Sequence, residues 1–347
     1  MSIQVCHITD FIHQWAPPGI KMNYDNVGLL VGDPSATVKS VLVCLDVTEQ
    51  VVEEAIEKKC GLIVSHHPLI FKKLAAINPT HEQGRIIYKL IKNGISLLSA
   101  HTNLDAALDG VSFILANHLG LDNLEFLDKS YNVSRKIALT TDHEDTQDVL
   151  KLLNYHSAEE AHFFEVSGRK KGYKHFEALI DSHNVAPLRR ALEKEGWLKK
   201  GTIQESELTN PTNNFGLGVL GTYPENGIAK EEFLHLVSRA LDVPSLRYSG
   251  HAERIKKVAV CGGAGSMLKE HAIRAGADAF VTADIRYHDF FTEKLNFMMI
   301  DAGHFETEFP VVEAIRKEIA EAFDQLNVET AETVTNPVRT YITDFKK

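Results

Sequence analysis

Short aliphatic segments alternate with segments of helical periodicity at both ends of the chain, and this alternation most limits the folds that the chain can adopt. In the first third, VKSVLVCLDVT and GLIVSHHP are short and rich in β-branched and aliphatic residues, which is typical of buried strands. IKKVAVC and DAFVTAD repeat this pattern in the last third, where PVVEAIRKEIAEAF follows with apolar residues at helical spacing. The alternation predicts an α/β protein with two α/β segments, whose parallel strands are covered by helices on both faces.

Local signals place several element boundaries. Apolar residues from Val5 to Trp15 recur at helical spacing, and the pair at 17–18 is Pro-Pro, which ends a helix. Thr48 is placed to cap a second helix that runs to about Lys59. The stretch YDNVGLLVGD is rich in turn residues, so we expect a loop there.

The middle of the chain has a different character. Residues 130–214 are predicted to form strands and helices in the order β, α, β, β, α, β, which is the order of a ferredoxin-like unit. The polar stretch LTNPTNNFG at its end is typical of a linker. We therefore predict a discontinuous α/β core formed by residues 1–129 and 215–347, interrupted by an inserted α+β domain.

Charge and composition exclude several classes of protein. With 37 Lys and Arg against 47 Asp and Glu, the net charge of −10 argues against a general nucleic-acid-binding surface. No apolar run approaches the roughly 18 residues of a membrane span, and the N-terminus lacks the pattern of a secretory signal, so we expect a cytoplasmic protein. The four cysteines are far apart without a CxxC pair, which predicts buried thiols rather than disulfides or a zinc ribbon.

Six side chains with metal-binding chemistry follow three predicted strands directly. They are His66 and His67 after GLIVS, His101 and Asp105 after ISLLSA, and His304 and Glu308 after FMMIDAG. In open α/β sheets the binding crevice lies at the carboxyl ends of the strands. We therefore expect these residues to converge, although each short motif alone is equally compatible with an ordinary turn.

Four imidazoles and two carboxylates suit two divalent cations better than one structural zinc. Zinc, iron, manganese and nickel all accept this donor set, whereas calcium and magnesium prefer oxygen. Two such cations typically support hydrolysis. Neighbouring side chains of an extended chain point in opposite directions, so we expect His66 and His67 to serve different cations.

Four motifs in order, YDNVGLLVG, SHHPLIF, SAHTNLDAA and GHFETE, resemble those of the GTP cyclohydrolase 1 type 2 homologues, also called dinuclear-metal-centre proteins. The resemblance covers both outer segments, about three quarters of the chain. It implies a homohexameric ring that faces its metal sites towards an internal cavity, and an inserted domain similar to the PII and CutA regulators. This chain departs from the pattern at the end of the insert, where it has GTIQESELTNP in place of an HPYEEPAYD-like stretch.

The resemblance also implies a set of ligands and an activity. The implied ligands of the two cations are His66, His67, Asp105, His304 and Glu308. His101 is a sixth candidate, as a ligand or as a catalytic acid–base group. The implied activity is metal-dependent hydrolysis of a nucleotide or a related small phosphorylated compound, with release of formate from the purine ring if the substrate is GTP. The alternatives are a non-catalytic metal-binding ring, acting as a scaffold or regulator, and a ring associated with nucleic acid, which the charge disfavours.

Three further motifs allow two interpretations each. Asp25 and Asn26 either order the loop near the metals or cap a turn. CGGAGS either binds a phosphate or forms a glycine-permitted tight turn, and its incomplete glycine pattern favours the turn. Asp284 and His288 either line the cavity and contact substrate or begin an ordinary helix.

Overall fold

The fold was analysed in a computed structural model that describes most of the chain. The described residues are 2–129, 134–142, 146–157, 161–165, 173–199, 201–208, 215–224, 226–294 and 296–342. They divide into two compact units, the main unit (residues 1–128 and 217–347) and the middle unit (residues 129–216). Most of the predicted linker, residues 209–214, and both predicted boundaries of the insert lie outside the described residues.

Strands in the described residues are, in chain order, β1 (Gly28–Val31), β2 (Ser40–Cys44), β3 (Leu62–Ser65), β4 (Ser96–Ser99), β5 (Asp122–Asp128), β6 (Ser134–Thr141), β7 (His162–Glu165), β8 (Lys174–Asp181), β9 (Thr202–Glu207), β10 (Leu217–Thr222), β11 (Ile228–Ala229), β12 (Arg247–Ser249), β13 (Arg254–Ile255), β14 (Lys257–Val260), β15 (Ala279–Thr282), β16 (Met298–Asp301) and β17 (Asn327–Thr330).

Helices in the same residues are α1 (Val5–Trp15), α2 (Glu49–Glu57), α3 (Glu82–Lys92), α4 (Thr102–Asp105), α5 (Val111–His118), α6 (Thr146–His156), α7 (Ser182–Lys194), α8 (Lys230–Ala240), α9 (Lys269–Arg274), α10 (His304–Glu308) and α11 (Pro310–Ala322). Short 3-10 turns occur at Pro18–Ile20, Ser266–Leu268 and Tyr287–Phe290. None of these helices is both long enough and apolar enough to cross a membrane.

The predicted signals of the first two helices are confirmed. Helix α1 ends at Trp15, just before the Pro-Pro pair, and it buries Val5, Ile8 and Ile12 on one face. The hydroxyl of Thr48 accepts a hydrogen bond from the backbone N–H of Val51 at 3.2 Å, which caps α2. Local capping and helical spacing are therefore reliable in this part of the chain.

A five-stranded sheet in the main unit has the order β1-β4-β3-β2-β17. Its central strands are parallel, and β1 pairs with β4 in the antiparallel direction. Helices α2 and α3 pack on one face of this sheet, where Leu42, Ile63 and Leu97 are fully buried. Strand β1 lies inside the turn-rich segment that was expected to be a loop, so that expectation was wrong.

A six-stranded sheet in the same unit has the order β12-β16-β15-β14-β10-β5. Only the pairs β14–β15 and β15–β16 are parallel, and the other pairs are antiparallel. The expectation of parallel strands is thus correct for the centres of both sheets and for the edge strand β17, whereas the other edge strands, β1, β5 and β12, pair in the antiparallel direction. Strand direction at an edge depends on which distant segment supplies the partner, which the local pattern does not encode.

Each sheet takes an edge strand from the opposite end of the chain. Strand β17, near the C-terminus, pairs with β2, and β5, from the first third, pairs with β10. Helix α11 also contacts β2, β17 and α5. These exchanges join the two terminal segments into one unit and place the carboxyl ends of both parallel centres within it.

The middle unit contains β6, α6, β7, β8, α7 and β9 in chain order. Its sheet has the order β7-β8-β6-β9, and every pair is antiparallel. Leu139, Phe176, Leu188 and Leu192 form part of its core and are fully buried. This unit therefore has a hydrophobic core of its own.

Candidate metal centre

Donor side chains of the main unit meet just beyond the ends of its parallel strands. His66 and His67 follow β3, His101 follows β4 and begins the turn into α4, and His304 and Glu308 lie on α10, which follows β16. The backbone N–H groups of His66 and His67 still donate to Cys44 and Leu45, at 3.2 and 2.9 Å. The end of the first sheet therefore holds these two histidines rigidly.

A first group consists of His66, His67 and His101. One ring nitrogen from each lies within 4.8 Å of the others, a spacing at which a single cation can reach all three. The ring centroids of His66 and His67 are 5.0 Å apart. The expectation that these neighbours point in opposite directions was wrong, because β3 ends at Ser65 and the alternation of a strand does not extend to them.

A second group consists of His67, His304 and Glu308. Glu308 Oε2 lies 2.9 Å from His67 Nε2 and 3.2 Å from His304 Nε2. His304 and Glu308 are four residues apart on α10, which directs both side chains to one side of the helix. His67 belongs to both groups, so the two groups are adjacent.

Asp105 lies at the end of α4, beside the first group. Its Oδ1 is 3.6 Å from His66 Nε2, and Glu308 Oε1 is 3.9 Å from the same nitrogen. Both carboxylates therefore flank His66. All six residues selected from the sequence are close together in the main unit.

Two buried polar atoms at this point have no hydrogen-bond partner among the described residues. They are His66 Nε2 and Asp105 Oδ1, which lie 3.6 Å apart. Buried polar atoms are normally satisfied, because leaving one without a partner costs free energy. Imidazole and carboxylate donors directed at a shared point are the ligands of divalent transition metals. The residues present therefore fit a cation.

The two carboxylates have opposite pKa shifts. Burial, followed by the charge of Glu308, raises the pKa of Asp105 well above its usual range. Burial also disfavours the charge of Glu308, but hydrogen bonds from His304 and His67 outweigh it and hold the pKa of Glu308 below its usual range. Two neighbouring carboxylates cannot both ionise cheaply without a positive charge between them. A bound cation would supply that charge.

The histidines respond to the same surroundings. Burial lowers the pKa of His66 to about 3, which leaves its imidazole neutral and able to bind a metal. His67 is also desolvated, but hydrogen bonds to Asp46 and Glu308 raise its pKa to about 10. The hydrogen bond to Glu308 likewise raises the pKa of His304 to about 9, against its burial. Without metal, the protonated rings of His67 and His304 face the charge of Glu308, and a cation would take the place of their protons.

Each of the four histidines uses its Nδ1 atom for a hydrogen bond away from the centre. The partners are the Ala100 carbonyl for His66 at 2.8 Å, Asp46 for His67 at 2.7 Å, Asp25 for His101 at 2.9 Å and Asp284 for His304 at 2.6 Å. Such partners fix the tautomer and the orientation of metal-binding histidines. All four Nε2 atoms are therefore left for the metals.

The sequence pattern indicated some of the hydrogen-bond partners of these Nδ1 atoms and not others. Asp25 was recognised as a loop-ordering candidate, and its carboxylate also accepts hydrogen bonds from the backbone and hydroxyl of Thr102. Asp46 was missed, although it follows β2 as His67 follows β3, two residues after the end of the strand. The candidate ligands were selected because they follow a predicted strand, and the same criterion would have selected Asp46. Asp284 was predicted either to line the cavity and contact substrate or to begin an ordinary helix; it lines the cavity, and its carboxylate contacts His304.

The glycines of CGGAGS permit a close approach to Glu308. A Cβ atom at Gly263, whose φ is +61°, would lie 2.1 Å from Glu308 Oε1. The N–H groups of Gly263 and Gly265 donate to the hydroxyls of Thr307 and Thr282, at 3.0 and 2.9 Å. These amides are therefore already used, which supports the turn interpretation over a phosphate site.

A cavity of about 380 Å³ adjoins the second group. His67, His304 and Asp284 line it, together with Arg247, whose guanidinium donates to Asp301 and to the carbonyl of Ile285. His288 is not among the residues that line this cavity and stacks on Phe291 in the last 3-10 turn. A small molecule in this cavity would lie against the metal-binding nitrogens.

Comparison with known proteins identifies relatives over nearly the whole chain. A protein from Halalkalibacterium halodurans named GTP cyclohydrolase 1 type 2 homolog is 33% identical, and the alignment covers 86% of this chain and 87% of that protein. The crystal structure of a Staphylococcus aureus protein superposes with a TM-score of 0.79 at 30% identity, covering 98% of this chain and 99% of that one.

A Bacillus cereus structure, described as a protein related to NIF3, gives a TM-score of 0.77 at 29% identity and covers 98% of this chain and 99% of its own. The model of the family described as Duf34/NIF3 (NGG1p interacting factor 3) matches residues 3–337. This match includes every residue of the candidate metal centre. The chain therefore belongs to the Duf34/NIF3 family.

Proposed function

We propose that this protein is a metal-dependent hydrolase with a dinuclear divalent-metal centre, which acts on a nucleotide or a related small phosphorylated compound. The observation that carries the proposal is the pair of donor groups that share His67, beside which the buried atoms His66 Nε2 and Asp105 Oδ1 have no hydrogen-bond partner among the described residues. His66, His101 and Asp105 would hold one cation, and His304 and Glu308 the other, with His67 beside both. Asp105 and Glu308 are suited to bridging.

When bound, two neighbouring divalent cations would lower the pKa of a water molecule and stabilise the negative charge that develops during hydrolysis. The residues of the chain supply the rest. His101 is held by Asp25 and is 17% exposed, so it is placed either to bind a cation or to transfer a proton at Nε2. Arg247 is a basic side chain on the cavity wall and can bind an anionic group of the substrate.

The name of the relative from Halalkalibacterium halodurans suggests one reaction within this class, the release of formate from the purine ring of GTP. The cavity volume of about 380 Å³ is compatible with a small molecule but does not select a purine. GTP is therefore one substrate to test among several phosphorylated compounds.

The test is a substrate panel with protein stripped of metal and reloaded separately with zinc, manganese, iron or nickel. Phosphate and formate release are both measured with GTP, other nucleotides and simple phosphoesters. We expect turnover of at least one compound, lost in Glu308→Gln and Asp105→Asn. Glu318→Gln, the same change at an exposed position on α11, is the matched control and should keep full activity.

An absence of turnover with every metal and compound, in protein that binds two cations, would overturn the hydrolase proposal and favour a non-catalytic metal-binding ring. The homohexameric ring itself stays a prediction, which the mass of the particle in solution would test. The cytoplasmic location also stays a prediction.

We also propose that the middle unit is a ferredoxin-like domain inserted into the α/β core. Its element order and its antiparallel sheet order, β7-β8-β6-β9, support this interpretation. A similarity to the PII and CutA regulators is part of the same proposal. The test is to add small effectors to the purified protein and to monitor the NMR amide signals of residues 134–208.

A further inference from the structure

Asp284 has a backbone conformation that costs free energy in any residue with a side chain, although aspartate and asparagine adopt it more readily than most. It comes two residues after the end of β15, and its φ is +53°, in the left-handed region that favours glycine. Hydrogen bonds hold the chain on both sides of it: Ala283 N–H donates to the Gly263 carbonyl at 2.8 Å, and Ile285 N–H donates to Asp301 Oδ2 at 3.0 Å. The surrounding structure therefore imposes this conformation.

Packing of the Asp284 side chain does not offset the free-energy cost of this backbone conformation. It is 57% exposed and lies on the wall of the cavity. The contact it makes is a 2.6 Å hydrogen bond between Oδ2 and His304 Nδ1. Strained residues of this kind tend to occur at functional sites, where the strained geometry aims a side chain.

His304 needs such a partner more than the other three histidines. Its side chain is 39% exposed, compared with 0% for His66, 17% for His101 and 24% for His67. It is also the first residue of α10, a helix of only five residues that follows Gly303. Packing therefore restrains its ring least, and a hydrogen bond at Nδ1 has the most to contribute.

We propose that Asp284 is a positioning residue, which holds the His304 ring with Nε2 towards Glu308 and the metal at the cost of a strained backbone. The inference rests on the metal centre of the proposed function but not on hydrolysis. It concerns how tightly the centre binds metal, so its test requires no substrate.

The experiment compares Asp284→Gly, Asp284→Ala and Asp284→Asn. Zinc affinity is measured by competition with a chromophoric chelator, the absorption spectrum of bound cobalt reports the ligand geometry, and the metal-free proteins are melted. Glycine accepts a positive φ and alanine does not, so metal-free Asp284→Gly should melt above Asp284→Ala. Both should bind zinc about 10–100-fold more weakly than the wild type, with an altered cobalt spectrum.

Asparagine tolerates the left-handed conformation, and its amide oxygen can still accept the Nδ1–H bond. Asp284→Asn should therefore recover most of the affinity. Asp242 is the matched control, because it is an exposed aspartate with φ of +51° at the end of α8. Asp242→Gly and Asp242→Ala should differ in melting temperature in the same way and leave zinc affinity unchanged.

A purely structural role for Asp284 predicts a different result. Zinc affinity would then follow the stability of the metal-free protein, and glycine would restore it. Wild-type affinity and an unchanged cobalt spectrum in Asp284→Gly would overturn the proposal. Because none of these readouts requires turnover, they remain interpretable even if the hydrolase proposal fails.

Discussion

The main unit and the middle unit differ in what they bury. The main unit buries charged and titratable side chains, among them His66, Glu308 and Asp25. In the described residues of the middle unit, the buried polar side chains are Ser134 and Thr141, and charged side chains form pairs at the surface, such as Lys136 with Glu177 at 2.7 Å. One unit therefore carries a polar centre, and the other a conventional apolar core.

This difference indicates where the ligand chemistry lies. Burying an ionisable group is unfavourable unless a partner compensates it, so a chain gains nothing from such groups in an ordinary core. The unpartnered buried atoms of His66 and Asp105 lie in the candidate metal centre, where a cation would provide the missing compensation. The middle unit, by contrast, should be stable without any ligand. Three predictions test this comparison.

Removing one metal-binding side chain from the polar centre of the main unit should have the largest effect on zinc affinity. Glu308→Gln keeps the shape of the side chain but removes the charge that faces His67 and His304. We expect zinc affinity to fall by more than about 100-fold, beyond the usual effect of residues that only orient ligands. Metal content after gel filtration and chelator competition measure this, with Glu318→Gln as control. A variant that retains two tightly bound cations would contradict the comparison.

Disrupting the apolar core of the middle unit should change stability but not metal binding. Leu188 on α7 is fully buried, and Leu188→Ala should destabilise this unit by about 2–5 kcal/mol. Hydrogen exchange of residues 174–192 measures the loss, since a protein of two units need not unfold in one step. Leu90→Ala, at an equally buried position on α3, is the corresponding change in the main unit. Loss of bound zinc in folded Leu188→Ala protein would show that the metal centre depends on the middle unit.

A charged group that is not one of the six candidate ligands should matter least. Glu54 accepts hydrogen bonds from Thr333 and from the backbone of Glu332, and it pairs with Lys58 at 3.0 Å. Partial burial raises its pKa, but these hydrogen bonds outweigh burial and lower the pKa of Glu54 to about 2. Glu54→Gln should cost about 1 kcal/mol of unfolding free energy at neutral pH, because the network is partly exposed through Lys58 and Glu332 and solvent screens its charges.

The pH dependence of that cost has a definite sign. The pKa of Glu54 is lower in the folded protein than its usual value of 4.5, so its contribution is present above pH 4.5 and is lost as the pH falls towards 2. Urea unfolding of wild type and Glu54→Gln should therefore converge at acid pH. A difference that stays constant from pH 7 to pH 3 would argue against this assignment.

The sequence predicted the residues of the candidate metal centre better than the pairing of the edge strands. The ligands could be selected because the carboxyl ends of parallel strands meet, so that His101 and His304 converge although they are distant in the chain. The orientation of His66 and His67 could not be predicted, because it depends on where β3 ends. The pairing partners of β1 and β17 could not be predicted either, because they lie in distant segments that the local sequence pattern does not indicate.

The central claim is that the donors of the main unit hold two divalent cations. Anomalous diffraction at the absorption edge of the bound metal, from crystals of protein purified without chelators and reloaded with zinc or manganese, tests it most directly. We predict two peaks roughly 3.5–4 Å apart, one beside His66 and His101 and the other beside His304 and Glu308. Crystals of the reloaded protein with no anomalous peak at these side chains would contradict it.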